Sequence, residues 1–389
     1  MTHQEKQAVI IMSFIMALRL LGIFLLLPIF SVYAIKYPGA TLPLVGIAFG
    51  IYALAQCVLQ IPFGWASDRF GRRPVLIVGL LLFSLGSLVC GMAGNITQLI
   101  LARVLQGSGA VSAVAMATLG DLTRPQVRAQ AFTVAGIAVG VAFTIGLLGG
   151  PFLAARFGFN ELFYLLAVLS FLAMLVTGFF LPQIKVERME SLVRRGLRLG
   201  GLINGFKIRR LYLAALILSF VLNLFFFIYP LDWVHLGLNQ AQLWKVYLVI
   251  FLPSLLFVFP YVRRAEKQGK LWLPVLGGWA FIILSFFVPL VGGSQRWILY
   301  TTGAVFFLGY TLFQALLPTF LTQQVPSEKR GAATGIYNLA SFFGSSLGGM
   351  LTGFLYHSSR VFPLILGLIL LVLWVFIGLP RPPDSDVIH

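Results

Sequence analysis

The sequence predicts an all-α membrane protein of twelve transmembrane helices in two pseudo-symmetric six-helix halves, and three observations carry that prediction. The first is composition. Of 389 residues, 59% are hydrophobic and only 10% are charged, more apolar surface than a soluble core of this size can hide, so lipid is the expected solvent. The second is spacing, because twelve apolar stretches follow one another with mostly short polar connections. The third is an internal repeat. Pro62, Asp68, Arg69, Gly71 and Arg72 return at a constant offset of 198 residues as Pro260, Glu266, Lys267, Gly269 and Lys270. Each set reads acidic-basic-any-Gly-basic after an apolar helix, and a repeat of such long period points to a duplicated bundle.

The spans fall near 8–35, 42–65, 74–93, 97–119, 127–151 and 159–181, then near 211–234, 243–262, 271–292, 297–321, 331–355 and 361–380. Each is close to the roughly 20 residues that a crossing helix needs. The first is expected to be retained, since Thr2–Lys6 is a poor leader and no A-x-A site follows. The second and third flank Gly64-Trp-Ala-Ser-Asp68-Arg69-Phe-Gly71-Arg72-Arg73-Pro74, a charged turn in which Gly71 permits a bend without a Cβ clash. Pro125-Gln-Val-Arg128-Ala-Gln-Ala131 leads into the fifth span and Pro326-Ser-Glu-Lys329-Arg-Gly-Ala332 into the eleventh, which extends the repeat. Gly136, Gly140, Gly146, Gly149 and Gly150 before Pro151 make the fifth span glycine-rich, and Gly344, Gly348, Gly349 and Gly353 echo them in the eleventh. Small residues four apart permit close helix crossing. These faces are either surfaces on which the halves slide or static packing.

The domains expected are therefore 1–181 and 211–380, each a six-helix half, joined by a cytoplasmic linker 182–210 and followed by a cytoplasmic tail 381–389. The linker carries Lys185, Arg188, Arg194, Arg195, Arg198, Lys207, Arg209 and Arg210 against Glu187 and Glu190, with Met189, Leu192, Val193 and Leu197 at helical spacing. A basic amphipathic helix on the anionic leaflet fits that pattern; a flexible hinge is the plainer alternative.

Net charge is +17, and its distribution excludes nucleic-acid binding. Most Lys and Arg fall in the N-terminus and the even-numbered connections, with Lys36, Arg156, Lys245, Arg296 and Arg360 in the opposite loops. That asymmetry orients both termini to the cytoplasm of a bacterial inner membrane. Cys57 and Cys90 sit in apolar segments, and His3, His235, His357 and His389 are scattered without metal-ligand spacing. Neither cofactor nor metal is expected. No Walker motif, H-E-x-x-H or nucleophile elbow occurs, so an enzyme reading has no support and any energy for transport comes from a gradient.

The span count, the repeat and the 64–74 signature resemble the major facilitator superfamily over essentially the whole chain. Leu101-Ala-Arg103-Val-Leu-Gln106-Gly107-Ser-Gly109 resembles the fourth-helix motif of its drug:proton antiporter branch. Arg103 to Arg124 and Trp244-Lys-Val-Tyr-Leu248 resemble a group of bacterial inner-membrane transporters in that branch. The resemblance implies alternating access: residues 1–181 rock against 211–380 around a solute site lined by the first, fourth, seventh and tenth spans. The cavity candidates are then Arg19, Arg103, Gln106, Asn223, Tyr229, Tyr310 and Gln314, with Phe225, Phe226 and Phe227 as an apolar wall or else as a lipid-facing or core run. Charge as deep as Arg19 and Arg103 normally faces a cavity or a partner, and bonding to a neighbouring helix's carbonyls is the structural alternative for both. Gly64, Asp68, Gly71, Arg72 and Asp121 are candidates for a conformational latch, or else anchor loops. Gly136, Gly140, Gly146, Gly150 and Pro151 resemble the antiporter motif of the fifth helix, without its trailing glycine pair. No carboxylate lies deep in a span, and Gln314 cannot titrate, so the candidate proton carriers are Asp232 and His235 near the outer ends, with Asp121 at the inner end. Two deep arginines favour a neutral-to-anionic amphipathic solute. The expected function is a secondary active transporter of a small organic solute, acting as a proton-coupled exporter; a passive facilitator or uptake carrier for a sugar or organic anion is the alternative. The expected partners are the solute, protons and the bilayer, and the expected state is a monomer.

Overall fold

A computed structural model describes residues 1–181, 205–293, 295–326 and 330–380. Most of the 182–210 linker with its amphipathic pattern, the 381–389 tail and Lys329 of the second repeat lie outside the described residues. Within them the chain is helical, because a backbone inside lipid must satisfy its N–H and C=O groups in its own segment. The helices of the first half are α1 (His3–Leu26), α2 (Phe30–Ala34), α3 (Leu42–Phe70), α4 (Arg72–Met92), α5 (Ile96–Ser108), α6 (Ser112–Asp121), α7 (Pro125–Phe157) and α8 (Phe159–Phe180). Those of the second are α9 (Phe206–His235), α10 (Leu243–Lys267), α11 (Trp272–Gly292), α12 (Arg296–Gln324), α13 (Arg330–Ser358) and α14 (Val361–Ile377). Side-chain oxygens of Thr2, Thr41 and Asn95 accept the first free N–H groups of α1, α3 and α5. Ten stretches are long and apolar enough to span, α5 and α6 counting as one. The remaining two spans of the twelve are α13, diluted by Gly and Ser, and α14, apolar but only 17 residues long.

Two spans that read as continuous are broken. Pro28 lacks an N–H and its ring crowds the carbonyl four residues back, so the first span divides into α1 and α2. Residues 109–111 divide the fourth into α5 and α6. There Gly107 lies against the Tyr52 carbonyl and Gly109 against that of Gly79, an approach that no side chain permits. The seventh span starts at Phe206 rather than 211, so Lys207, Arg209 and Arg210 belong to its first turn and not to the linker.

The chain divides into two compact units, Met1–Gly200 and Gly201–His389. In the first, α7 packs along α1 and α4 along α8. In the second, α9 packs along α13 and α11 along α12. The most apolar window of α9 is 83% buried and that of α7 only 28%, so α9 is the core helix of its unit while α7 leaves most of its surface exposed. Phe225, Phe226 and Phe227 accordingly form core, not a cavity wall.

The glycine faces find partners within their own unit. A Cβ at Gly146 would strike Phe24 and one at Gly150 the Leu25 carbonyl, both on α1; Gly344 and Gly348 meet the Leu216 and Phe220 carbonyls on α9. The sliding-surface reading is thus replaced, for these four, by close packing inside each half. A Cβ at Gly136 or Gly140 would meet nothing, so those two do not pack in this way. Gly150→Leu is expected to destabilise the protein by about 1–3 kcal/mol of overpacking, read as a lower thermal midpoint in detergent, and Gly136→Ala to leave that midpoint unchanged.

Candidate functional site

The repeated motif folds differently from a turn. Helix α3 continues through Asp68 and Arg69 to Phe70, Gly71 alone makes the break at φ +96°, and Arg72 opens α4. Its counterpart Gly269 also has positive φ, +65°, which only glycine adopts freely. Arg72 is buried and joins three acceptors. Its Nη1 donates to Asp68 Oδ1 at 2.7 Å and to Ser67 Oγ at 2.5 Å, and its Nε to Asp121 Oδ2 at 2.9 Å. Ser67 in turn donates to the Gly64 carbonyl at 2.8 Å. Gly64, Asp68, Gly71, Arg72 and Asp121 therefore come together at the junction of α3, α4 and the end of α6. The planar fork of a guanidinium suits this spread of oxygens better than an ammonium would. In the second unit Glu266, Lys267 and Lys270 are all exposed, so the copy keeps the backbone bend without the buried ion pair.

A second tie was missed in the sequence. Glu5 closes a capping box with Thr2, and its carboxylate also accepts from Arg124 Nε at 2.7 Å and Nη2 at 3.2 Å. The same carboxylate holds the Arg124 guanidinium above its ordinary value, and the pair fixes the start of α1 to the entrance of α7. Thr2-x-x-Glu5 is the legible signal.

The two deep arginines have different fates. Arg103 on α5 is placed against helices, not in an open cavity. Its Nη1 donates to Gln106 Oε1 at 2.5 Å and its Nε to the Ala48 carbonyl of α3 at 3.4 Å. The guanidinium also lies 4.4 Å from the Tyr52 ring centroid and 5.2 Å from that of Phe30, a cation–π sandwich. Gln106 is occupied too, donating to Ser87 Oγ at 2.9 Å. Arg19 on α1 is only 4% exposed, and none of its three guanidinium nitrogens has a hydrogen-bond partner. It lies in a recess that is a packing gap and does not admit a water molecule, against Leu18, Leu80, Phe83, Gly109, Val111 and Ser170.

In the second unit most cavity candidates are tied up in the core. Tyr229 Oη donates to the Leu299 carbonyl at 3.0 Å, and Asn223 Nδ2 to the Ser219 carbonyl of its own helix at 2.9 Å. Gln314 bonds to Tyr310 Oη but, unlike the others, is itself exposed and not part of the core. Tyr229 and Tyr310 are linked through the ring stack of Phe225 and Phe306, whose centroids are 3.9 Å apart. Asp232, expected near a span end, is 4% exposed. Arg360, at the start of α14, grips it with Nε 2.7 Å from Oδ1 and Nη2 2.8 Å from Oδ2. Tyr356 on α13 donates to Oδ1 at 3.3 Å. Arg360 had counted only as an outer-loop cation, yet its place at a span end beside that of Asp232 was the available clue. His235, one turn on, is exposed.

The family model described as Major Facilitator Superfamily matches residues 12–349 and 211–388. The chain belongs to that superfamily. Among its relatives, the inner membrane transport protein YajR of Escherichia coli (strain K12) is 32% identical, covering 98% of this chain and 85% of the relative. A multidrug resistance protein MdtH of Photorhabdus laumondii is 26% identical, covering 88% and 85%. The fold is shared with solved superfamily structures, among them the nucleoside transporter NupG (TM-score 0.71, 14% identity, 95% of this chain and 98% of that one). The human organic anion transporter MFSD10 is another (TM-score 0.66, 16% identity, 97% and 100%). This superfamily member is thus a multi-pass membrane transporter, whose small solute crosses a bundle with charge buried at Arg19, Arg72, Arg103 and Asp232.

Proposed function

We propose that the protein is a secondary active transporter of a small organic solute in a bacterial inner membrane, working by alternating access as a proton-coupled exporter with both termini cytoplasmic. The observation that carries this reading is Asp232, a carboxylate buried in a spanning helix and gripped by a cation from another helix. Asp232 lies only three residues from the end of its helix, yet it is taken out of water; ionisable groups buried within spanning helices are expensive and mark ion or solute pathways. A proton on Asp232 releases Arg360, which makes the carboxylate a switch between two packings of α9 against α14. The Arg72 network supplies the second element, an ionic tie whose strength biases the resting state. The name of MdtH, a multidrug resistance protein, supports efflux.

The test is solute flux in proteoliposomes with and without an imposed pH gradient. Acceleration against the solute gradient by an opposing proton gradient is expected. Flux that follows the solute gradient alone, indifferent to the pH step, would leave a passive facilitator instead.

A further inference from the structure

Arg19 is the buried charge that neither ion pair nor packing accounts for. Arg72, Arg103 and Asp232 each have specific partners, whereas all three nitrogens of Arg19 are buried and unbonded. Among the described residues no Asp or Glu acts on it, and the polar group that faces it is the Tyr52 hydroxyl, a neutral acceptor that also takes a bond from Gln56 Nε2 at 2.5 Å and supplies no counter-charge. Ser170, the other polar side chain lining the recess, donates to the Leu80 carbonyl at 3.0 Å. What makes the charge tolerable is its position. Gly109 caps the C-terminus of α5, where unsatisfied carbonyls carry partial negative charge. That dipole end is a weak and diffuse partner. A guanidinium taken out of water demands a full counter-charge with hydrogen bonds in its own plane.

We infer that Arg19 is the recognition point for the anionic group of an amphipathic organic monoanion, the solute class of the transport reading on which this inference rests. A single guanidinium without a second cation in the recess matches one carboxylate or sulfonate, not a phosphate dianion. The remaining lining, Leu18, Leu80, Phe83 and Val111, offers only apolar contact and so selects an apolar body. Access follows from the break at residues 109–111. Val111 lines the recess and immediately precedes α6, so a swing of α6 about Gly109 opens the site. The far end of α6 is Asp121, bonded to Arg72 of α4, so the same helix connects the recess to the ionic tie. Arg103 is excluded from this role because its partners within the protein already use it.

The experiment measures binding and stability on the purified protein in lipid nanodiscs, with benzenesulfonate and benzyltrimethylammonium as probes of matched size and opposite permanent charge. Benzenesulfonate is expected to raise the thermal midpoint of the wild type, and benzyltrimethylammonium to leave it unchanged. Arg19→Met keeps the length and removes the charge. Its midpoint without ligand is expected to rise by about 2–4 °C, since an unpaired buried charge is gone, while its affinity for benzenesulfonate falls roughly tenfold or more. Arg19→Lys is expected to retain part of the response. A lower midpoint, or no folded protein, for Arg19→Met would assign Arg19 a structural role and overturn the inference, as would an undiminished benzenesulfonate shift in that variant or equal shifts from both probes. Flux of radiolabelled benzenesulfonate in proteoliposomes separates the two readings. Binding without flux would remove the transport reading and keep the anion site, whereas flux of other solutes without benzenesulfonate binding would do the reverse.

Discussion

Arg72→Ala is expected to destabilise the first unit by roughly 3 kcal/mol, a fall in thermal midpoint of the order of 8 °C. The reason lies in what remains. Asp68, with 12% of its side chain exposed, loses its cation while still largely removed from water, whereas Asp121, 33% exposed, is partly rescued by solvent, and the Ser67 hydroxyl loses an added donor. Leaving buried charge uncompensated is more damaging than never having placed it there. Arg72→Lys should recover only part of the loss, because one ammonium cannot serve oxygens that the guanidinium reaches with two different nitrogens. Paired replacement with Asp68→Asn should be less harmful than the sum of the singles, since the residual charge is then halved. Thermal unfolding of the variants in one detergent measures this, and equal midpoints for wild type and Arg72→Ala would show that the network holds nothing together.

Much of this architecture was legible because lipid restricts the choices. Apolar length gave the spans, and the repeated acidic-basic-any-Gly-basic motif marked equivalent junctions whose glycines both take positive φ. Local capping was legible as well, Thr2, Thr41 and Asn95 each preceding a helix that they cap. What pattern reading could not supply was direction in three dimensions. Arg103 and Tyr229 share a span type with Arg19, yet the first two are consumed by Ala48, Gln106 and the Leu299 carbonyl. That outcome depends on where neighbouring helices come to rest, not on depth along the sequence. The helix breaks were hidden for a related reason. Residues 109–111 are apolar enough to continue a span, and the close approach of α3 and α4 to Gly107 and Gly109 is visible only in the folded chain. Asp232 and Arg360 are far apart in sequence, so their pairing needed the helix packing of the second unit to be visible.

Asp232→Asn is expected to separate transport from its energy source. The amide keeps the size of the carboxylate, and its single oxygen, in the place of Oδ1, can still accept from Tyr356, while its NH2 group stands donor to donor against Arg360 Nη2; the protein should fold, with Arg360, 28% exposed at its side chain, turning towards water. The substitution fixes the site in an uncharged form, equivalent to a proton that never leaves. Exchange of labelled for unlabelled solute, which needs no net proton movement, should therefore persist near the wild-type rate, while accumulation driven by a pH gradient should disappear. Arg360→Ala tests the other partner. It strands a carboxylate that is nine-tenths buried, at a cost of about 3–5 kcal/mol if the charge stays, and that cost is relieved when the group holds its proton. This variant should consequently gain stability on acidification, the unpaired form being neutralised, whereas the wild-type pair should not. The other ionisable groups that act on Asp232 are Tyr356 and His235, and His235→Gln, which removes the exposed imidazole, is expected to leave the driven flux intact. Driven accumulation that survives in Asp232→Asn, or that vanishes only in His235→Gln, would move the coupling site away from the α9–α14 ion pair.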